Sequence, residues 1–308
     1  MKQITLIATS ITALVSGSSF AATVYQSDDT ELMIGGRAEA RFNISDNNKS
    51  SSTSSFNDIS RARVNVVGKT KITESLDGFG KYEAEFNTSD SSTINNRYVF
   101  AGVSSKAGDF SYGKQDSAQV MLTDITDTMA TFGADAADLT DGNKDKRDAN
   151  FLYAGQFGDV VVKANYLAAQ KSDDSDQSIG VAALYSFDSY DVGAGFVSTD
   201  DDRQFNLAGN VKISDFTFGA FLAFGKASDD DATAFELSAK YTFGKADFIA
   251  VYNKSDYDAS SKKSDEAENI AIEGVYKFTT NLRTYAGYKF EQIDSLDNQF
   301  QAGIRYDF

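Results

Sequence analysis

Cysteine, histidine, proline and tryptophan are all missing from these 308 residues. Without cysteine, a small secreted scaffold stapled by disulfides is excluded. Without histidine, the usual general base and the commonest metal ligand are gone, and with them most Ser-His and zinc hydrolase mechanisms. No catalytic residue, metal or other cofactor is therefore expected. The lack of proline fits a chain that is nearly all hydrogen-bonded strand, which has few places for a residue without an N–H. Basic charge is scarce too: 29 Lys and Arg stand against 45 Asp and Glu, a net charge of −16. That balance excludes nucleic-acid binding through a basic surface.

Long apolar runs are also lacking. MKQITLIATSITALVSGSSFA opens with Lys2, continues with a mostly apolar run from Ile4 to Val15, and closes on Ser19-Phe20-Ala21. This is the pattern of a secretory signal, expected to span 1–21 and to be cut after Ala21. Thr5, Thr9, Ser10 and Thr12 break the run, which falls short of the roughly 20 residues a spanning helix needs. Removing 1–21 deletes Lys2 and no acid, so −16 becomes −17 for the expected mature domain, 22–308.

What the chain does have is a period of two. In LMIGGRAEARFNI the face Leu32, Ile34, Gly36, Ala38, Ala40, Phe42 is apolar or small, and Arg37, Glu39 and Arg41 oppose it. Val64 and Val66 oppose Arg61, Arg63 and Asn65, and Tyr82, Ala84 and Phe86 oppose Lys81, Glu83 and Glu85. IAIEGVYKF and LRTYAGYKF repeat the pattern, and the chain ends on FQAGIRYDF with Phe300, Ala302, Ile304, Tyr306 and Phe308 on one face. Helical spacing recurs nowhere over comparable lengths.

The spacers alternate between short and long. ESLDGFG, SKAGDF, GQFGDV, SFDSYD, KISDF, TFGKADF and FTTNL read as tight turns. Ser45–Asp58, Asn87–Asn96, Asp116 to about Lys146, Gln170–Ser178, Ser198–Arg203, Lys226–Thr233, Asn253–Asn269 and Glu291–Asp297 read as long polar loops. This gives about sixteen strands, with turns at one end and loops at the other, as in an outer-membrane barrel. A secreted β-sandwich or jelly roll also alternates. Two features favour the barrel: 15 Tyr and 24 Phe, many at strand ends, and opposed charges recurring on the polar faces. The expected fold is all-β: a 16-stranded antiparallel transmembrane β-barrel in the bacterial outer membrane. Closure removes the unpaired edges that hydrocarbon would penalise by several kcal/mol per group.

Several stretches resemble the trimeric general diffusion porins of Gram-negative bacteria, in particular those of enteric and marine gamma-proteobacteria. They are Ile34-Gly35-Gly36-Arg37-Ala38, Arg61-Ala62-Arg63-Val64, Asn96 to Val103, Asp109-Phe110-Ser111-Tyr112-Gly113-Lys114, and Thr126 to Asp135. The resemblance implies a homotrimer latched through the second loop, 87–96, and a third loop folded into the lumen as a constriction. It also implies contact with outer-membrane lipid and lipopolysaccharide, and passive passage of small hydrophilic solutes and ions. The terminal Phe308 resembles the signal read by the barrel assembly machinery.

Residue by residue, the resemblance gives Arg37, Arg63 and Arg97 as the basic wall of the constriction, and Asp127 and Asp135 as acidic positions of its loop. A further wall cation comes from Lys146 or Arg147, with parity from Phe151 and Tyr153 pointing Lys146 inward. Arg41 and Arg61 also point inward by parity, and serve equally well as wall residues neutralised by a neighbouring Glu. One departure stands out. Enteric members carry proline and glutamate before Phe-Gly-Gly, whereas this chain has Ala130 and Thr131 before Phe132-Gly133-Ala134. Carboxylates on the loop facing guanidiniums on the wall set up a transverse field that sorts ions. With the net charge and the loop aspartates, the expected bias is toward cations, and mild. A substrate-specific channel and a surface adhesin of similar build remain alternatives. Barrel phospholipases and proteases rely on histidine and do not.

Overall fold

In the computed structural model, described over residues 21–88, 93–140, 142, 144–170, 177–200, 202–227, 230–258 and 266–308, each alternating segment forms a strand. The chain starts with β1 (Ala22–Gln26), β2 (Thr30–Ile44), a short β3 (Phe56–Asp58), β4 (Arg61–Thr73) and β5 (Leu76–Asn87). β6 (Ile94–Ser105) and β7 (Gly108–Gln115) follow, then a single helical turn, α1 (Val120–Thr123). After the third loop come β8 (Arg147–Phe157), β9 (Val160–Leu167), β10 (Ser178–Ser186), β11 (Tyr190–Thr199) and β12 (Asp202–Ile213). The last six are β13 (Phe216–Ala227), β14 (Asp230–Phe243), β15 (Ala246–Tyr257), β16 (Glu268–Lys277), β17 (Leu282–Glu291) and β18 (Gln299–Asp307).

From β4 to β18 every strand pairs antiparallel with its sequence neighbour, and β2 pairs with both β4 and β18. The barrel is closed by sixteen strands. β1 extends the line of β18: Phe308 exchanges two backbone hydrogen bonds with Gly36, and Ala22 then pairs with Ile34. A Cβ at Gly36 would overlap the Arg63 carbonyl and the Phe308 ring, so glycine is needed for the terminal aromatic to seat.

Burial is inverted relative to a soluble protein. Glu236 and Gln204 are fully buried and Glu39 is 3% exposed, whereas Leu207, Phe248 and Tyr306 are about half exposed on the outside. A sandwich puts its apolar face inside, so that alternative is overturned. The outer aromatics form two belts. Tyr185, Phe187 and Tyr190 stack at the short-turn end, as do Phe216, Tyr241 and Phe243. Phe196, Phe205 and Phe224 pack ring to ring at the long-loop end, as do Tyr112, Phe151 and Tyr166. Phe216 and Phe224 lie eight residues apart on β13, roughly 20 Å of axial height for strands tilted by about 40°.

All seven expected turns are present. Two of the eight expected long loops are not long: β11 runs to Thr199 and β12 starts at Asp202, while β13 runs to Ala227 and β14 starts at Asp230. Their polar residues continue the hairpins past the apolar belt, where hydropathy alone reads them as loop. Residues 1–20 of the expected signal, 1–21, and the tip of the second loop, 89–92, lie outside the described residues.

Candidate functional site: the narrowed lumen

The third loop lies inside the barrel, attached to one half of the wall. Going out, the Ala118 N–H donates to Asn165 on β9 (2.9 Å), and the Gln119 amide donates to the Val181 and Phe196 carbonyls (2.9 and 2.8 Å). Leu122 is fully buried beside Ala182, Ala208 and Phe221. A Cβ at Gly195 would overlap Gln119, and one at Gly193 would overlap Leu122, so β11 forms a socket for α1. The Thr126 hydroxyl donates to Glu236 on β14 (2.5 Å). At the apex, Glu273 on β16 accepts from Ala130 N (2.9 Å), Thr131 N (2.7 Å) and Thr131 Oγ1 (2.6 Å).

Coming back, Asp135 accepts from Asn269 and from Lys289 (3.0 and 3.2 Å), and Ala136 N donates to the other oxygen of Glu236 (2.9 Å). Gln204 on β12 then accepts from Thr140 N and donates to the Ala137 carbonyl (3.1 and 2.7 Å). Hydrogen bonds to a charged acceptor contribute about 1.5–3 kcal/mol each, so Glu236 and Glu273 are the firmest attachments. Sequence reading missed both. Their only signal was an inward acid within an otherwise apolar strand.

The opposite half of the wall carries the arginines. Arg37 on β2 and Arg63 on β4 are direct cross-strand neighbours. Arg97 lies where the register shifts between β5 and β6. This bulge puts both Arg97 and Tyr98 in the lumen: Arg97 donates to Glu83 (2.8 Å) and the Tyr98 hydroxyl to Asp116 (2.9 Å). Glu85 serves Arg63 (2.5 Å), Arg61 (3.7 Å) and Arg97 (3.7 Å), while Glu39 serves Arg61 (2.6 Å), Arg37 (3.9 Å) and Arg41 (3.9 Å). Each glutamate is shared among three guanidiniums, which leaves the wall with an excess of positive charge. Arg41 and Arg61 thus belong to the network that neutralises Glu39.

Of the remaining candidates, Lys146 joins this cluster. Desolvation, with Arg97 and Arg63 nearby, pushes its ammonium down to about 8, and it pairs with Asp145. Arg147 opens β8 opposite Gln115. Parity fails between them because Lys146 and Ala149 take left-handed φ of 51° and 49°; Asp148 consequently meets Lys114 on the outside (2.7 Å). The Asp127 carboxylate is exposed on the outbound leg and accepts from the Ala134 N–H. Asp135 is held against Lys289. Asp124, not singled out from sequence, is exposed beside Asp127, and Asp141 lies outside the described residues. Desolvation, then the charges of Asp116 and Asp127, raise Asp124 to about 6; desolvation also raises Asp127. Both side chains are solvent-exposed, which screens these effects.

A Gram-negative porin family profile matches residues 8–296. Porin-like protein L of Photobacterium profundum is 38% identical over 96% of both chains. Outer membrane protein U of Vibrio parahaemolyticus is 32% identical over 99% of both. Among solved structures, Salmonella typhi OmpF in complex with daunomycin superposes with a TM-score of 0.81, 17% identity, and coverage of 93% of this chain and all of that one. The trimer form of Vibrio cholerae OmpT gives 0.73 at 18% identity, covering 91% of this chain and all of that one. At these identities the structures show the fold, and the sequence relatives show the family. The chain belongs to the Gram-negative porin family and is an outer-membrane general diffusion porin.

Proposed function

We propose that the lumen passes small hydrophilic solutes and ions with a mild preference for cations, and that the selecting region is the gap between the third loop and the arginine wall. The observation carrying this reading is the segregation of charge. Asp124 and Asp127 face the water on a loop bound to β9–β17, while Arg37, Arg63, Arg97 and Lys146 crowd the far side. Asp135, paired with Lys289, contributes less, and Arg147 is a peripheral cation. At an effective dielectric near 20, a unit charge at 4 Å is worth about 4 kcal/mol, and less at greater distances. The field therefore biases permeation and does not gate it. No bond chemistry is assigned to the chain, since neither histidine nor cysteine is available.

Residues 1–21 act as the export signal in this reading, and the working unit is a homotrimer in contact with lipid and lipopolysaccharide. The outer face of β2, β4 and β5 supports the trimer. Ala38, Ala40, Ala62, Gly78 and Gly80 make it smooth enough for close approach. Single-channel recording in a planar bilayer tests channel and oligomer together. Conductance appearing in three coupled steps, with a cation-side reversal potential in a KCl gradient, is expected; single steps or an anion-side potential would contradict it.

A further inference from the structure

The short-turn side of the arginine wall holds a pocket of about 320 Å³ that the constriction does not account for. Besides Arg37, Arg63 and Arg97 it is lined by Lys81, Arg283 and Arg305, with Glu83 and Asp307 the acids among its lining. Its position follows from the chain: Arg283 comes just after the β16–β17 turn, and Arg305 and Asp307 lie at the end of β18, which runs toward the short turns.

The register makes this pocket unusual. Arg283 stands directly across from Arg305, and Arg37 directly across from Arg63. Like charges directly opposed on one sheet face are destabilising, and here two such pairs adjoin, since Asp307 pairs in register with Arg37. Asp307 is the acid that binds Arg283 (2.8 Å) and Arg305 (2.7 Å). Arg63 is held by Glu85 at its Nε, while Arg37 Nε is buried without a hydrogen-bond partner among the described residues. Arg37 pairs with Glu39 Oε2 at 3.9 Å, an oxygen already bonded to Arg61 at 2.6 Å. Sheet stability alone gives no reason for this arrangement.

We propose that this pocket binds an inorganic oxyanion of two or more charges, phosphate or diphosphate in class, entering from the short-turn side. Planar guanidiniums grip such anions bidentately, which a monovalent halide cannot match. The volume lies at the small end of ligand pockets, suited to an anion of this size. The bound anion narrows the path and neutralises the wall's positive excess, so conductance falls and the cation preference rises.

Inorganic diphosphate added to one side of a planar bilayer holding the mature protein, 22–308, tests this, with orientation read from an impermeant thiol reagent at S75C in the β4–β5 turn. Half-block is expected at a concentration at least tenfold lower from the short-turn side than from the long-loop side. R283Q/R305Q should raise that concentration tenfold or more. Equal block from both sides, or block untouched by the double variant, would overturn the proposal. Should that variant not fold, the unaltered protein still decides: sulfate must block and shift the reversal potential further toward cations, and equal block by singly charged methanesulfonate would overturn the site.

Discussion

The Thr131 hydroxyl donates to the Glu273 carboxylate at 2.6 Å, and the Thr131 and Ala130 amides join it on the same two oxygens. Where the resemblance to enteric porins implies a glutamate at the loop apex, this chain has Thr131, a donor that ties the apex to β16. Position 131 thus offers the eyelet no carboxylate and instead attaches the loop to the wall. E273A should remove three charge-assisted bonds, each contributing about 1.5–3 kcal/mol, and so loosen the apex. Single-channel recordings should show larger conductance and more open-channel noise, with barrel assembly intact. T131E should do the same, by setting two carboxylates against each other.

Wall glycines make the attachment possible from the other side. A Cβ at Gly287 would overlap Thr131 Oγ1, as one at Gly195 would overlap Gln119. G287V should push the apex off β17 and raise conductance, while G195L should displace α1. Each variant should leave the far-ultraviolet strand signal unchanged; loss of that signal would mean the glycine serves the barrel and not the loop.

The loop acids make selectivity depend on pH. Asp124 is raised to about 6 and Asp127 is raised as well, so both take up protons earlier than ordinary carboxyls as pH falls. A raised folded-state value means that loop docking gains from protonation below the ordinary carboxyl range, and that this gain is lost as pH rises through about 6. The field moves oppositely, being strongest when both acids are ionised. Reversal potentials should therefore show cation preference declining from pH 7 to pH 5, and D124N should flatten the part of the curve near 6.

The smooth outer face predicts the oligomer. A38K together with A101K introduces two cations on exposed small residues of β2 and β6. Native gels should shift from trimer to monomer, with little change in thermal stability of the isolated barrel.

Much of this was legible before the fold. Alternation in the segments around Arg37, Lys81 and Lys289 identified the lumen face, and six of the seven turns fell where aspartate or glycine marked them, the seventh being Thr279-Thr280-Asn281. The failures have physical causes. The bulge at Arg97 depends on pairing between strands, so parity could not reveal that Tyr98 also turns inward. Left-handed backbone at Lys146 and Ala149 breaks the count on which Lys146 and Arg147 were compared. The pairing of Asp135 with Lys289 joins residues 154 apart and exists only because the loop folds back. The opposed Arg283 and Arg305 depend on register, which a single strand does not carry.

Neutralising the two wetted acids of the outbound leg tests the central claim most directly, namely that charge on the third loop facing the arginine wall sets ion preference. The reversal potential of D124N/D127N in a tenfold KCl gradient at pH 7 should move toward zero from a cation-side value for the unaltered protein. An unaltered protein that prefers anions, or a double variant with an unchanged potential, would contradict it.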